Sequence, residues 1–170
     1  MQFTIGALVS VAVMLSAQAV SAVDLRFYHA GNCAGGFGSC NNIGSGVCCI
    51  AGGVPGASVQ AVGGGVGTTF AYGTQACHVG PVVSAGGGSC VRPSFAAFAS
   101  RWTSPGFTRR EATEGGPCAE LDTFGFTNDN GDEVSYKIPD ERRASIVAAL
   151  AKGDDAALKA SADGLTPVSA

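Results

Sequence analysis

The chain has 170 residues, with 10 Lys or Arg against 13 Asp or Glu and a formal net charge of −3. Only 14% of its residues are charged and the balance is slightly acidic, which excludes the clearly basic surface that nucleic-acid binding requires. Its 26 glycines, many of them in short runs, favour short strands joined by tight turns.

The first 22 residues have the pattern of a secretory signal peptide. Residues 5–15 are almost wholly apolar, and small residues follow up to Ala22, where we predict cleavage. This apolar run is shorter than the roughly 20 residues that span a bilayer. We therefore expect a secreted, extracellular protein.

All seven cysteines lie in the predicted mature chain, where an oxidising compartment favours disulfides. An odd number leaves one Cys over, or pairs it with a second chain. Neighbouring Cys48 and Cys49 are too close to bridge each other and should point to opposite faces of a strand. We expect the first four cysteines in the chain to pair among themselves and the last three to form disulfides in the second half of the chain, although other arrangements stay open. The candidates are Cys33, Cys40, Cys48, Cys49, Cys77, Cys90 and Cys118.

Strand signals dominate the first part of the mature chain. Alternation of apolar and polar residues predicts a strand at 23–28, and 47–50 reads as a short buried strand after a glycine-rich turn. Residues 57–62 and 66–72 flank three glycines, a pattern that predicts a hairpin. Further short strands are predicted at 79–83 and 90–91. So many short strands in this part of the chain are typical of an all-β sandwich or barrel.

The second part mixes strands with helices. Residues 95–99 suggest a single helical turn, and 103–117 an exposed loop. Residues 123–127 and 133–138 predict a hairpin around Asn130-Gly131.

Pro139 starts a helix that Gly153 ends, and a second short helix follows to Ala162. We predict a signal peptide at 1–22, a disulfide-stapled β domain at 23–138 and a helical appendage at 139–170.

A short pattern occurs twice. Tyr28 is followed by Cys33 and Gly35, and Tyr72 is followed by Cys77, with the two tyrosines 44 residues apart. The first copy resembles the Greek-key signature of the βγ-crystallin superfamily. The resemblance implies a Greek-key sandwich of two paired motifs. The secreted microbial members of that superfamily include toxin-like and antimicrobial modules. The wider layout is similar to small cysteine-rich secreted proteins of filamentous fungi.

A polar segment at 41–46 is similar to the calcium motif of that superfamily, but Gly46 stands where the motif has Ser. We expect a polar turn here, with calcium binding through Asn42 and Ser45 as the alternative. Residues 128–132 lack the full ligand set of an EF-hand loop and are expected to form a turn. We predict no cofactor and no metal.

Candidate catalytic residues are few. His29 and His78 are expected to be surface or turn histidines, because no nucleophile accompanies them. An acidic group around Cys118 supports an alternative function, a small extracellular hydrolase with paired carboxylates. That group consists of Glu111, Glu114, Glu120 and Asp122.

The leading hypothesis is a secreted, non-enzymatic protein that acts by surface contact, as an effector, an antimicrobial or toxin-like module, or a wall-associated protein. Its partner would be an extracellular protein, wall polymer or membrane surface. The leftover Cys could form an intermolecular disulfide. The dibasic pair Arg109-Arg110 in an exposed loop suggests a processing site.

Overall fold

The computed structural model describes residues 22–106 and 118–168, which form two five-stranded sheets and two short helices. This confirms a mainly β fold with C-terminal helices. The strands are β1 (Val23–Tyr28), β2 (Phe37–Ile43), β3 (Cys48–Ile50), β4 (Ser58–Val62), β5 (Thr68–Tyr72), β6 (Val82–Gly86), β7 (Ala99–Thr103), β8 (Ala119–Glu120), β9 (Thr123–Thr127) and β10 (Glu133–Lys137). The helices are α1 (Arg143–Lys152), which follows a 3₁₀ turn at Asp140–Arg142, and α2 (Asp155–Ser161).

The first sheet has the order β10-β9-β2-β1-β4 and the second the order β6-β5-β7-β3-β8. Within the first sheet, β4, β1 and β2 lie side by side, and within the second, β7, β5 and β6 do the same. The strand between β2 and β4 in sequence, β3, instead pairs with β7. Reciprocally, Val91, between β6 and β7, pairs with Val59 of β4. The first unit therefore consists of β1, β2, β3 and β4, and the second of β5, β6, the segment at Val91 and β7. Each unit places its third segment in the sheet of the other, an arrangement compatible with paired Greek keys.

The two sequence copies occupy equivalent places in these units. Tyr28 ends β1 and Tyr72 ends β5, and both side chains are buried. The carbonyl of Tyr28 accepts a hydrogen bond from the Ala57 N–H at 2.8 Å, and that of Tyr72 accepts one from the Phe98 N–H at 2.9 Å. The 44-residue spacing therefore corresponds to a structural repeat.

Two disulfides join the units to each other. Cys33 of the first unit bonds Cys90 of the second, and Cys77 of the second bonds Cys48 of the first. The expected grouping by halves is wrong for these four residues, because each third segment lies in the sheet of the opposite unit.

The third disulfide, Cys40–Cys49, fits the expected grouping. It links β2 in the first sheet to β3 in the second, and both residues are buried. Cys48 and Cys49 serve different partners, as their adjacency predicted.

The core lies between the sheets and continues under the helices. Leu25 and Phe27 from β1 and Trp102 from β7 belong to the same buried cluster as Ile146 and Leu150 of α1. The helices therefore share the core of the sheets. The predicted boundary at residues 138 and 139 stays a prediction, and residues 1–21 of the predicted signal peptide lie outside the described part of the chain.

Two glycines at the start of β2 allow the helices to approach the sheet. A Cβ on Gly36, which leads into the strand, would lie 2.6 Å from Leu158 Cδ1, and one on Gly38 would lie 3.1 Å from Leu150 Cδ1. Glycine at both positions leaves the space that these leucines fill.

The hairpin predicted at residues 57–72 is wrong. β4 and β5 belong to different sheets, so the glycines between them carry the chain across the sandwich. Gly64 is required there by packing, because a Cβ would overlap Val23 Cγ1 and lie 3.2 Å from the Trp102 ring. The predicted helical turn at 95–99 is also wrong: Ala97 forms a bridge with Gly56, and β7 begins at Ala99.

The second hairpin and the helix limits are confirmed. β9 pairs with β10, and Asn128 Oδ1 accepts hydrogen bonds from the backbone N–H groups of Asn130 and Asp132, at 2.9 Å each. Gly153 ends α1 with a positive φ of 64°, and Asp154 Oδ1 caps α2 by accepting the Ala157 N–H at 3.0 Å. None of the helices in residues 22–106 and 118–168 has the length and hydropathy of a transmembrane span.

We predict that the double substitution Cys33→Ala/Cys90→Ala lowers the free energy of unfolding by about 4 kcal/mol, because this disulfide closes a loop of 57 residues in the unfolded chain. Chemical denaturation of the oxidised protein measures the change. Ser89→Ala, an exposed neighbour of Cys90, is the control and should change stability by less than about 0.5 kcal/mol. A loss below about 1 kcal/mol in the double variant would contradict the prediction.

Candidate functional site

A groove of about 490 Å³ lies where the two repeated units meet the end of α1. Its residues come from three parts of the chain: His29 with residues 55–57 from the first unit, residues 93–96 from the second, and residues 151–153 from α1. Gly56, which lines the groove, pairs with Ala97 across the two units. The volume falls within the range of ordinary ligand sites.

His29 forms one wall of the groove and is held by the helices. Its Nδ1 lies 3.1 Å from the Gly36 carbonyl oxygen. Because a carbonyl can only accept, Nδ1 carries the proton in this contact. The Asp155 carboxylate lies 3.8 Å from Nδ1 and also accepts the Gly36 N–H at 3.0 Å.

Glycine at position 153 is needed for this wall. A Cβ there would lie 2.7 Å from His29 Cδ2, and the residue has the left-handed φ that ends α1. The imidazole consequently packs directly on the backbone at the C-terminal end of the helix, where peptide carbonyls carry partial negative charge.

The rest of the groove combines apolar rings with one cation. Pro55, Pro93 and the partly exposed Phe95 supply apolar surface, while Lys152 is exposed at the end of α1. Recognition sites usually combine a largely apolar lining with a few polar groups. Sequence reasoning missed the groove, because its residues are far apart in the chain and form no motif.

Of the two histidines, His78 is exposed in a turn, as expected, whereas His29 is half-buried in the groove wall. The structure does not bring the histidines into one described site. Within the described residues there is no group of three or more His, Cys, Asp or Glu side chains placed to hold a metal ion.

The structure describes two of the four acidic residues on which the hydrolase alternative depends, Glu120 and Asp122. Asp122 Oδ1 accepts hydrogen bonds from the Asn41 N–H at 3.0 Å and the Thr123 hydroxyl at 3.2 Å, which gives this carboxylate a structural role. Glu120 is exposed at the end of β8. Glu111 and Glu114 lie outside the described residues, as does Arg109-Arg110, so the hydrolase and the processing site stay predictions.

The segment compared with a calcium motif is tied into the fold by its own hydrogen bonds. The Asn42 N–H donates to Asp24 Oδ1 at 3.0 Å, and Ser45 Oγ accepts the Ser104 N–H at 2.9 Å. Asn42 lies near the end of β2, opposite the register shift between Val23 and Leu25 of β1, and its positive φ of 55° fits this bulge. The expected polar turn is thus wrong for residues 41–43, which belong to β2, and is confined to residues 44–47, where the Val47 N–H donates to the Gly44 carbonyl at 3.2 Å. Calcium binding stays an untested alternative.

Cys118 is exposed and belongs to none of the three disulfides. The intermolecular disulfide expected from an odd number of cysteines stays a prediction.

The described structure also holds a charged cluster on the outer side of the first sheet. Arg26 Nη1 donates to Glu133 Oε2 at 2.5 Å, and the guanidinium lies over the Phe37 ring at 4.5 Å from its centroid. The Tyr28 hydroxyl is 3.4 Å from Glu133 Oε1. Burial raises the pKa of Tyr28, with Glu133 adding to the rise and Arg26 opposing it. The cluster joins β1 to the distant strand β10 across the sheet.

A family model described as the ARB_05566_N N-terminal domain matches residues 24–124, more than half of the chain. The chain belongs to the ARB_05566_N family. The chain has no significant match among curated proteins or among solved structures. The matched part of this ARB_05566_N member runs from β1 into β9 and so contains both repeated units with all seven cysteines.

In this ARB_05566_N protein, we predict that Glu133→Ala lowers the free energy of unfolding by about 1–2 kcal/mol, because the largely buried Arg26 loses its carboxylate. The Glu133 side chain is 42% exposed, and solvent screening of this ion pair limits the loss of stability. Denaturant unfolding at neutral pH measures it. Lys137→Ala, an exposed change on the same strand, is the matched control. Equal stability of the two variants would contradict the prediction.

A second prediction concerns pH. The pKa of Tyr28 is raised in the folded state, so its contribution to stability is present below the ordinary tyrosine pKa of about 10 and is lost as the pH rises through the folded-state value. Tyr28→Phe should therefore lose stability less steeply than the unaltered protein above pH about 10. Unfolding followed by Trp102 fluorescence across that range is the measurement, and parallel curves would argue against it.

Proposed function

We propose that this protein is a secreted, non-enzymatic binding module that acts by contact with an extracellular target. The secretion part is supported by the signal-peptide pattern of residues 1–22 and by three disulfides, which form in oxidising compartments.

The observation that carries the proposal is the groove. Three separate parts of the fold converge on it, and the Cys33–Cys90 disulfide joins the chain segments that bring His29 and Phe95 there. Apolar rings flanked by an imidazole and an ammonium suit recognition of a short stretch of a target through apolar contact and a few hydrogen bonds. The chemical class of target that fits is an exposed segment of a protein or a wall polymer.

We further propose that the two units are related to the βγ-crystallin superfamily. The support is the repeated Tyr and Cys pattern, the side-by-side order of the first, second and fourth strands in each unit, and the reciprocal exchange of the third. This kinship would place the protein beside toxin-like or antimicrobial modules, or wall-associated proteins, and it implies no catalytic activity.

The test is a binding assay with the purified mature protein, residues 23–170, against insoluble chitin, cellulose and β-glucan and against intact microbial cells, with growth inhibition measured in parallel. We predict that Phe95→Ala weakens binding by roughly tenfold or more, as expected for loss of an aromatic anchor. Lys152→Glu should weaken it as well, because it reverses the charge at the rim.

Matched controls lie away from the groove. Phe70→Ala removes a partly buried aromatic residue from β5, and Lys137→Glu reverses an exposed charge on β10. Both controls should bind like the unaltered protein. Binding that is unaffected by the two groove variants but lost in the controls would place the contact site elsewhere on the surface.

A further inference from the structure

The outer edge of β6 is open. β6 is the terminal strand of the second sheet, and no other strand of the described residues pairs with its outer side. Val82 and Val83 are 50% and 38% exposed, and Ser84 is exposed as well. An edge strand of this kind presents unpaired backbone groups to any chain that can add to it.

The other sheet edges in the described residues are covered or short. Along β10, the Val168 N–H donates to the Ser135 carbonyl at 2.8 Å. Along β4, Val59 and Val91 exchange both backbone hydrogen bonds, at 2.9 and 2.8 Å. β8 has two residues. β6 is thus the longest edge left open in this part of the chain.

Residues 79–91, which include β6, contain no charged side chain. Proteins commonly keep edge strands apart with lysines, inward charges or prolines within the strand. β6 has none of these, although Pro81 precedes it. Two copies of this edge can therefore approach each other without charge repulsion.

The hydrogen bonds at both ends of β6 show which backbone groups face outward. The Gly73 N–H donates to the Pro81 carbonyl, and the Gly87 N–H donates to the Gly67 carbonyl, each at 2.9 Å. Because hydrogen-bonded pairs alternate along an antiparallel ladder, residues 83 and 85 also bond to β5. The N–H and C=O groups of Val82, Ser84 and Gly86 consequently point away from β5. The Gly86 carbonyl also accepts the Ser89 N–H at 3.2 Å, which leaves it one lone pair for a further donor.

We propose that β6 pairs edge to edge with β6 of a second copy of this chain, in an antiparallel twofold dimer centred on Ser84. In this register, Ser84 faces its own counterpart and Val82 faces Gly86 of the other copy, so every outward backbone group is paired. The large Val82 meets the smallest residue. The symmetry of the outward groups about Ser84 fits a second copy better than an unrelated peptide.

A charge-swap experiment tests the dimer. Sedimentation velocity of the mature protein from about 10 µM to 1 mM should show a reversible dimer, weak because a single strand pair forms a small interface. Ser84→Lys and Ser84→Glu each place like charges opposite each other and should raise the dissociation constant at least about tenfold. An equimolar mixture of these two variants should recover dimers, because opposite charges then meet.

Two further variants keep the test independent of folding. Ser84→Thr is neutral and should dimerise like the unaltered protein. Ser84→Pro removes an outward N–H without breaking the bonds to β5 and should be monomeric with unchanged circular dichroism.

Three results would overturn the proposal. The first is an unaltered protein that stays monomeric up to 1 mM. The second is a dimer that survives both Ser84→Lys and Ser84→Pro. The third is a monomer that instead captures an extended valine-rich peptide and loses it in Ser84→Pro, which would make β6 a peptide site.

Discussion

The architecture depends on the exchange of third segments between the two units and on the disulfides that fix it. β3 completes the sheet of the second unit, and Val91 extends the sheet of the first. Cys48 begins β3 and Cys90 precedes Val91, so each exchanged segment is anchored to a loop of the opposite unit. Neither unit has a complete sheet without the other, and the two are expected to fold together.

The same constraint explains the recurring spacing of Tyr and Cys. Each Tyr ends a first strand, and its following loop returns a Cys to the outer side of the fourth strand. There, Cys33 Sγ lies 3.6 Å from the Val59 carbonyl oxygen and Cys77 Sγ lies 3.3 Å from that of Ser100. The pattern is a property of this loop and its sulfur contact, and the tyrosine ends the first strand of each unit.

Sequence reasoning succeeded where local rules decide the structure. Alternation located β1, Asn130-Gly131 located the hairpin of β9 and β10, and Pro139 with Gly153 located α1. It failed where a distant contact decides. β2 contains Gly38, which leaves room for Leu150 of α1, together with Ser and Asn, and β7 has small residues beside its single Trp, so neither shows a clear period. Disulfide partners and groove residues depend on the strand exchange, which no local pattern reports.

The disulfide frame also explains how a chain so rich in glycine can hold a defined groove. His29 lies four residues before Cys33, and Pro93 lies three residues after Cys90. The bond between these cysteines therefore fixes two of the loops that line the groove, while Gly153 and Asp155 contact the imidazole from the helix side. Loops normally lose considerable conformational entropy when they order on a target. Here the covalent bond restricts these loops before any target arrives, so more of the contact energy remains available for binding.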